Sequence, residues 1–228
     1  MNKLLLLIFI IYVILCVLTL NNTEHYENNL TFTNTDSWGI EEQQTLNNIT
    51  NLGKKILNDI EDKPYPTGNI KSEIQEIKHL QSQMDNSRQA EIDTELYLEG
   101  TFKRFSLSTQ DTEKLINLIQ TELNPIIMGL KNRYNRVRPY HYDKTIKPSI
   151  EPPKHPSYPS GHSTQAYFIA LLLSEKYPEN KLEYIKIADR IAKNREYAGV
   201  HYNSDTVYGK QVAEKIHVFF SNDKNPLL

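Results

Sequence analysis

The sequence predicts an all-α fold. Three observations carry this: only 8 glycines in 228 residues, an abundance of Leu, Ile, Lys, Glu and Gln, and apolar residues that recur at helical spacing. No segment reads as a convincing strand, and no internal repeat is visible. Hydrophobic content of 39% and charged content of 24% describe a chain that mostly folds as a globule, with room for one sizeable domain. A net charge of −2 gives no case for nucleic-acid binding.

Lys3 precedes an apolar run, Leu4–Leu20, relieved only by Tyr12 and Thr19. Its length is short for a membrane span and long for a signal-peptide core. The following LTLNNTEHY lacks a small-x-small cleavage pattern, which favours an uncleaved signal-anchor, with Lys3 cytoplasmic and the rest translocated; a cleaved signal peptide is the alternative. The single cysteine, Cys16, lies in this run, so no intramolecular disulfide can form. The reading is therefore residues 1–20 as anchor or signal, 21–35 as a polar linker, and 36–228 as the folded domain.

Within the domain, Trp38, Ile40, Leu46, Ile49, Leu52, Ile56, Leu57 and Ile60 predict an apolar helical face over 37–60, broken by the Lys63-Pro64-Tyr65-Pro66-Thr67-Gly68 stretch. Further helices are expected over Ile70–Met84 and Ala90–Leu98. Ser108 caps a long helix running to about Arg133, with Pro125 as a potential kink. Residues 139–159 hold six prolines, which exclude helix through most of that stretch. Helices resume at Gly161–Tyr177, Lys181–Asn194 and Ser204–Phe220, the last with Val207, Val212, Ile216 and Phe219 on its buried face.

Three polar clusters fall where helices meet loops. The first is Lys131-Asn-Arg-Tyr-Asn-Arg-Val-Arg138-Pro139, which alone reads as a basic helix end suited to the C-terminal dipole. The second, Pro159-Ser160-Gly161-His162, alone reads as a turn with Ser160 as N-cap. The third is Asn194-Arg195-Glu-Tyr-Ala-Gly-Val-His201-Tyr-Asn-Ser-Asp205. A helix beginning near Asn203 would bring Asp205 against His201. A carboxylate on one ring nitrogen fixes the tautomer and leaves the other nitrogen free to attack.

Taken together, Lys131-x6-Arg138-Pro139, Pro159-Ser160-Gly161-His162 and Arg195-x5-His201-x3-Asp205 resemble the three-part motif of the type 2 phosphatidic acid phosphatase (PAP2) superfamily. The resemblance spans about residues 115–220, and chain size and the apolar N-terminus look most like bacterial-type class A non-specific acid phosphatases. It implies an all-α helical bundle of the PAP2, acid phosphatase and vanadium haloperoxidase type. It further implies metal-independent hydrolysis of small organic or lipid phosphomonoesters through a phosphohistidine, with no cofactor. His201 would be the nucleophile, Asp205 its orienting carboxylate and His162 the general acid. Lys131, Arg138, Ser160, Gly161 and Arg195 would hold the phosphate. Asn194 departs from the family's Ser at that position. His25, His79, His141, His155 and His217 read as surface or packing residues.

Two alternatives stand beside this reading: a vanadium-dependent haloperoxidase on the same fold, and a non-catalytic, membrane-tethered phosphate- or lipid-binding module. Expected partners are the phosphate substrate and the membrane through residues 4–20, with no nucleic acid. A homo-oligomer is left open. The domain is expected outside the cytoplasm.

Overall fold

The computed structural model describes residues 31–32, 37–60 and 70–221. The apolar run at 4–20 and the Lys63–Gly68 break lie outside them. Among the described residues no helix is long and apolar enough to cross a membrane.

The described chain is helical, as expected. Its helices are α1 (Ile40–Asn47), α2 (Asn51–Asp59), α3 (Ile70–Ser82), α4 (Asn86–Thr94), α5 (Leu98–Arg104), α6 (Thr109–Leu118), α7 (Asn124–Tyr134), α8 (Pro139–Tyr142), α9 (Gly161–Lys176), α10 (Lys181–Tyr197) and α11 (Asn203–Ser221). The only extended pairing among the described residues is an isolated antiparallel bridge between Thr31 and Arg136.

Where boundaries differ from expectation, a side-chain cap or a proline explains the shift. The expected 37–60 helix is two helices, because Thr50 turns its hydroxyl onto the Gly53 N–H at 2.9 Å and starts α2 afresh. Ile40 consequently faces solvent, and α1 has no buried residue. Asp85 caps α4 through the Arg88 N–H, so this helix begins four residues before the expected Ala90. Ser108 caps α6 as expected. Pro125 cannot donate to the carbonyl of residue 121, and the interruption takes the form of a π turn at Ile119–Leu123 between α6 and α7.

Helix α9 is the centre of the bundle. Ten of its 16 residues are buried, too many for a one-sided amphipathic helix. Phe168, Ile169 and Leu173 pack with Leu115, Ile126, Ile191 and Val212 in the main core. Val207, expected on the buried face of α11, is exposed instead. A second, smaller core joins Ile70, Ile74 and Ile77 of α3 and Ile92 of α4 to Ala198, Val200 and Tyr202. The turn bearing His201 is thus clamped on both sides by buried neighbours. Gly199 makes that turn possible: it has φ +74°, the left-handed conformation that ends α10 and redirects the chain.

Helices α9 and α11 meet at Gly209. A Cβ there would lie 2.9 Å from the Ser160 carbonyl oxygen and 3.0 Å from Ser163 Cβ. The close approach holds the start of α9 against the start of α11, where the Ser160 N–H donates to the Asp205 carbonyl at 3.0 Å. Overpacking of this kind costs about 1–3 kcal/mol, and the better helix propensity of alanine returns at most about 1 kcal/mol. We therefore expect Gly209→Ala to lower the denaturation midpoint. Gly161→Ala, whose Cβ would meet only Ile127 at 3.8 Å, should leave it nearly unchanged. Equal effects in the two variants would contradict the close-approach account.

Candidate active site

The three polar clusters converge in one cavity of about 140 Å³, lined by Lys131, Arg138, Gly161, His162, Arg195 and His201, with Met128, Ile150, Pro153 and His155 among its other walls. A larger apolar groove of about 470 Å³, between α2 and the later turns of α11, contains none of these residues.

His201 precedes α11, and Asp205 stands in its first turn. The His201 Nδ1–H donates to Asp205 Oδ2 at 3.0 Å, and the Tyr202 N–H donates to the same oxygen at 3.0 Å. On the other side of the ring, Arg138 Nη1 lies 3.4 Å from His201 Nε2. A guanidinium can only donate, and an ionised carboxylate can only accept. The proton is therefore assigned to Nδ1, which leaves the Nε2 lone pair facing the cavity cations.

Lys131, Arg138 and Arg195 are fully buried. Lys131 Nζ aims at the carbonyls of Pro156, Ser157 and Pro159 at 2.6–3.2 Å, an arrangement that only the three protons of an ammonium satisfy in full. Arg138 donates to the carbonyls of His155 and Val200. These contacts tie the proline-rich loop to the turn that bears His201. Arg195 donates through Nη2 to Glu95 Oε2 and to the Ile92 carbonyl, both at 3.3 Å, while its Nε and Nη1 have no hydrogen-bond partner among the described residues. Those two donors are buried against a cavity whose other charges are cationic, which suits an anion with several acceptor oxygens.

Ser160 caps α9 by accepting from the Ser163 N–H at 3.4 Å and the Ser163 hydroxyl at 2.9 Å. Its hydroxyl serves the helix start and does not line the cavity. Gly161 and His162 do line it. Their N–H groups, in the first helical turn, have no carbonyl four residues back within the helix. Asn194 is fully buried. Its side chain donates to Glu95 Oε2 at 2.8 Å and accepts from Arg88 at 2.7 Å, so it braces the carboxylate that holds Arg195.

Sequence reasoning missed two contributors. His155, read as a surface or packing residue, is a cavity wall, with Nδ1 3.2 Å from Arg138 Nη2 and its ring 6.5 Å from that of Trp38. Glu95 is fully buried and pairs with Arg195 and Arg104. Neither belongs to the sequence motif. His155 could have been suspected only from its place in the proline-rich loop.

Burial, and then the charges of Arg138 and Lys131, push the proton affinity of His201 well below the ordinary histidine range. Burial and the Arg195 charge hold His162 down to about 3. His155 is depressed by burial and by Lys131. Burial lowers Arg195 to about 10, so it stays cationic at any working pH.

Residues 115–222 match the PAP2 superfamily. The chain is similar to the non-specific acid phosphatases of Salmonella typhimurium (30% identical over 142 residues, 55% of this chain and 56% of that one) and of Providencia stuartii (31% over 103 residues, 43% and 42%). The acid phosphatase of Zymomonas mobilis is 30% identical over 130 residues, covering 51% and 49%. The chain thus spans about half the length of these relatives. A solved bacterial vanadium-dependent iodoperoxidase aligns with 86% of this chain and 52% of its own, at 17% identity and a TM-score of 0.43.

The depressed histidines have a consequence for stability. In the unfolded chain they titrate near about 6.5, whereas folded His162 takes its proton only near 3. Between those values the unfolded state binds more protons, so these groups make stability rise with pH and fall on acidification. An anion among Lys131, Arg138 and Arg195 would oppose the loss. We expect millimolar inorganic phosphate to raise Tm at pH 5, and Arg195→Gln to abolish that gain. A gain that survives the substitution would put the anion elsewhere.

Proposed function

We propose that the chain hydrolyses phosphomonoesters through a phosphohistidine on His201. The observation that carries the reading is a neutral imidazole, proton on Nδ1 against Asp205, whose Nε2 shares one cavity with three buried cations and a second histidine. The match of residues 115–222 to the PAP2 superfamily and the similarity to acid phosphatases support it.

Phosphoryl transfer asks chiefly for in-line positioning and for compensation of charge on the equatorial oxygens. In this reading Arg195 supplies its two unpartnered donors, Lys131 and Arg138 the remaining positive charge, and the first-turn N–H groups of α9 further donors. His201 Nε2 attacks phosphorus, giving up its contact with Arg138. Asp205 stabilises the imidazolium that forms as Nε2 becomes bonded to phosphorus. His162 protonates the leaving oxygen, then accepts a proton from the water that cleaves the phosphohistidine.

A phosphate dianion offsets the Arg195 charge that, after burial, depresses His162, and so raises the proton affinity of the general acid when substrate is bound. Activity should therefore peak at acidic pH. The cavity is smaller than the roughly 300–1,000 Å³ of sites that enclose a whole ligand, which favours recognition of the phosphoryl group with the organic part directed outward. Both small organic and lipid phosphates fit that description. An anchor at residues 4–20 would hold the domain against the outer face of a membrane, where the proposed substrate pool includes lipid phosphates.

The test is p-nitrophenyl phosphate hydrolysis in excess EDTA by wild type and His201→Ala across pH 4 to 8. We expect EDTA-resistant turnover with an acidic optimum, lost by at least about 10³-fold in the variant because no other group can form the covalent intermediate. Turnover retained in His201→Ala would sink the mechanism. Bromide oxidation with vanadate and peroxide, in place of hydrolysis, would overturn the reaction class.

A further inference from the structure

Arg136 lies between the motif residues Lys131 and Arg138, and the proposed chemistry gives it no role. It is nevertheless one of the most deeply buried charges in the molecule, with no exposed surface. Asn135 ends α7 in the left-handed conformation (φ +46°), and the extended residues that follow send Arg136 and Arg138 to opposite ends of one pair of side chains. Arg138 reaches His201 Nε2. Arg136 reaches the far oxygen of Asp205: its Nη1 donates to Oδ1 at 2.7 Å and to the Ser204 hydroxyl at 2.7 Å.

The other arm of Arg136 is held from outside the PAP2 segment. Its Nη2 donates to Glu73 Oε2 on α3 at 3.0 Å, and Glu73 Oε1 accepts the Ser204 N–H at 2.7 Å. The guanidinium lies 4.0 Å over the Tyr202 ring. Glu73 thus grips both Arg136 and the first turn of α11, the turn that presents Asp205. A buried cation between two carboxylates is a poor way to gain stability, because apolar replacements of such networks often do as well; a role in fixing geometry is the better account.

We propose that Arg136, anchored by Glu73, is a positioning residue for His201: it fixes the Asp205 carboxylate against the ring and sets how readily His201 takes up a proton. That His201 attacks phosphorus rests on the function proposed above; the contacts of Arg136 with Asp205 do not. Arg136 and the Tyr202 N–H both donate to Asp205, so its negative charge is shared with donors other than the ring. It orients the His201 Nδ1–H without drawing a second proton onto the ring. The other charged and titratable groups facing His201 are Arg138 from the 135–138 segment, Lys131 from α7, His162 from α9, Arg195 from α10 and His155 from the proline-rich loop. All of these are cations or histidines, so Asp205 is the group that favours a protonated ring and Arg136 is what restrains it.

The test uses the full chain, labelled with ¹⁵N in histidine, with the His201 signals assigned by their loss in His201→Asn. In Arg136→Gln the His201 titration is expected to move up by about one pH unit or more, since the positive charge balancing Asp205 is gone. Arg136→Lys, which keeps the charge, should titrate like wild type. With p-nitrophenyl phosphate, Arg136→Gln should lose about 10–100-fold in kcat with KM within about threefold, as befits a residue that orients a reacting group without touching substrate. The lysine variant should recover part of that loss but not all, because it cannot fork to Ser204 and Asp205 at once.

A folded Arg136→Gln whose His201 titrates at the wild-type pH overturns the proposal, as does a loss confined to KM. Should the glutamine variant fail to fold, Arg136→Lys decides: wild-type kcat there, or a shifted titration, counts against it. If wild type hydrolyses no phosphomonoester, the proposed function fails while the titration still tests Arg136.

Discussion

Burying four cations within one small helical domain is the constraint around which the rest of this structure is arranged. Lys131, Arg136, Arg138 and Arg195 all lie out of contact with solvent. Each would be prohibitively costly if left unpaired. The fold answers with two different kinds of partner. Arg136 receives carboxylates from Glu73 and Asp205, and Arg195 receives Glu95. Lys131 and Arg138 receive mainly backbone carbonyls, which solvate a cation without cancelling its charge. Arg136, gripped by two carboxylates, holds the frame, while Lys131, Arg138 and the free edge of Arg195 face the cavity.

This division explains the shape of the proline-rich loop. Helix cannot form through most of it, so its carbonyls remain free of helical partners. Those of His155, Pro156, Ser157 and Pro159 turn inward to Lys131 and Arg138. The loop is therefore a shell of oxygen around two cations, and its proline content suits a conformation with few obligations to its own neighbours. Tyr158, stacked face to face on Tyr208 at 4.6 Å, fastens the same loop to α11.

How much of this was legible in the sequence depended on the range of the interaction concerned. The His201–Asp205 pair, the Ser160 cap and the helices from Gly161 onward follow from local spacing and capping, and the structure agrees with them closely. The convergence of the three polar clusters was legible only through their resemblance to a known motif, since nothing local links Lys131 to Arg195. The support from α3, α4 and the turn after α4 was invisible. Glu73 and Glu95 sit in helical stretches rich in Glu and Lys, where a carboxylate bound for the interior looks like its solvated neighbours. The split of the 37–60 segment was missed for a similar reason: Thr50 is one polar residue among many until Gly53 is seen to use it.

The contact between Trp38 and His155 gives the molecule an optical property. Trp38 is the only tryptophan in the chain; it is buried, and its nearest aromatic neighbour in the cavity wall is a histidine that also touches Arg138. Imidazolium quenches indole emission more strongly than neutral imidazole does. Emission excited selectively at indole is thus a single-site signal, placed beside one wall of the cavity.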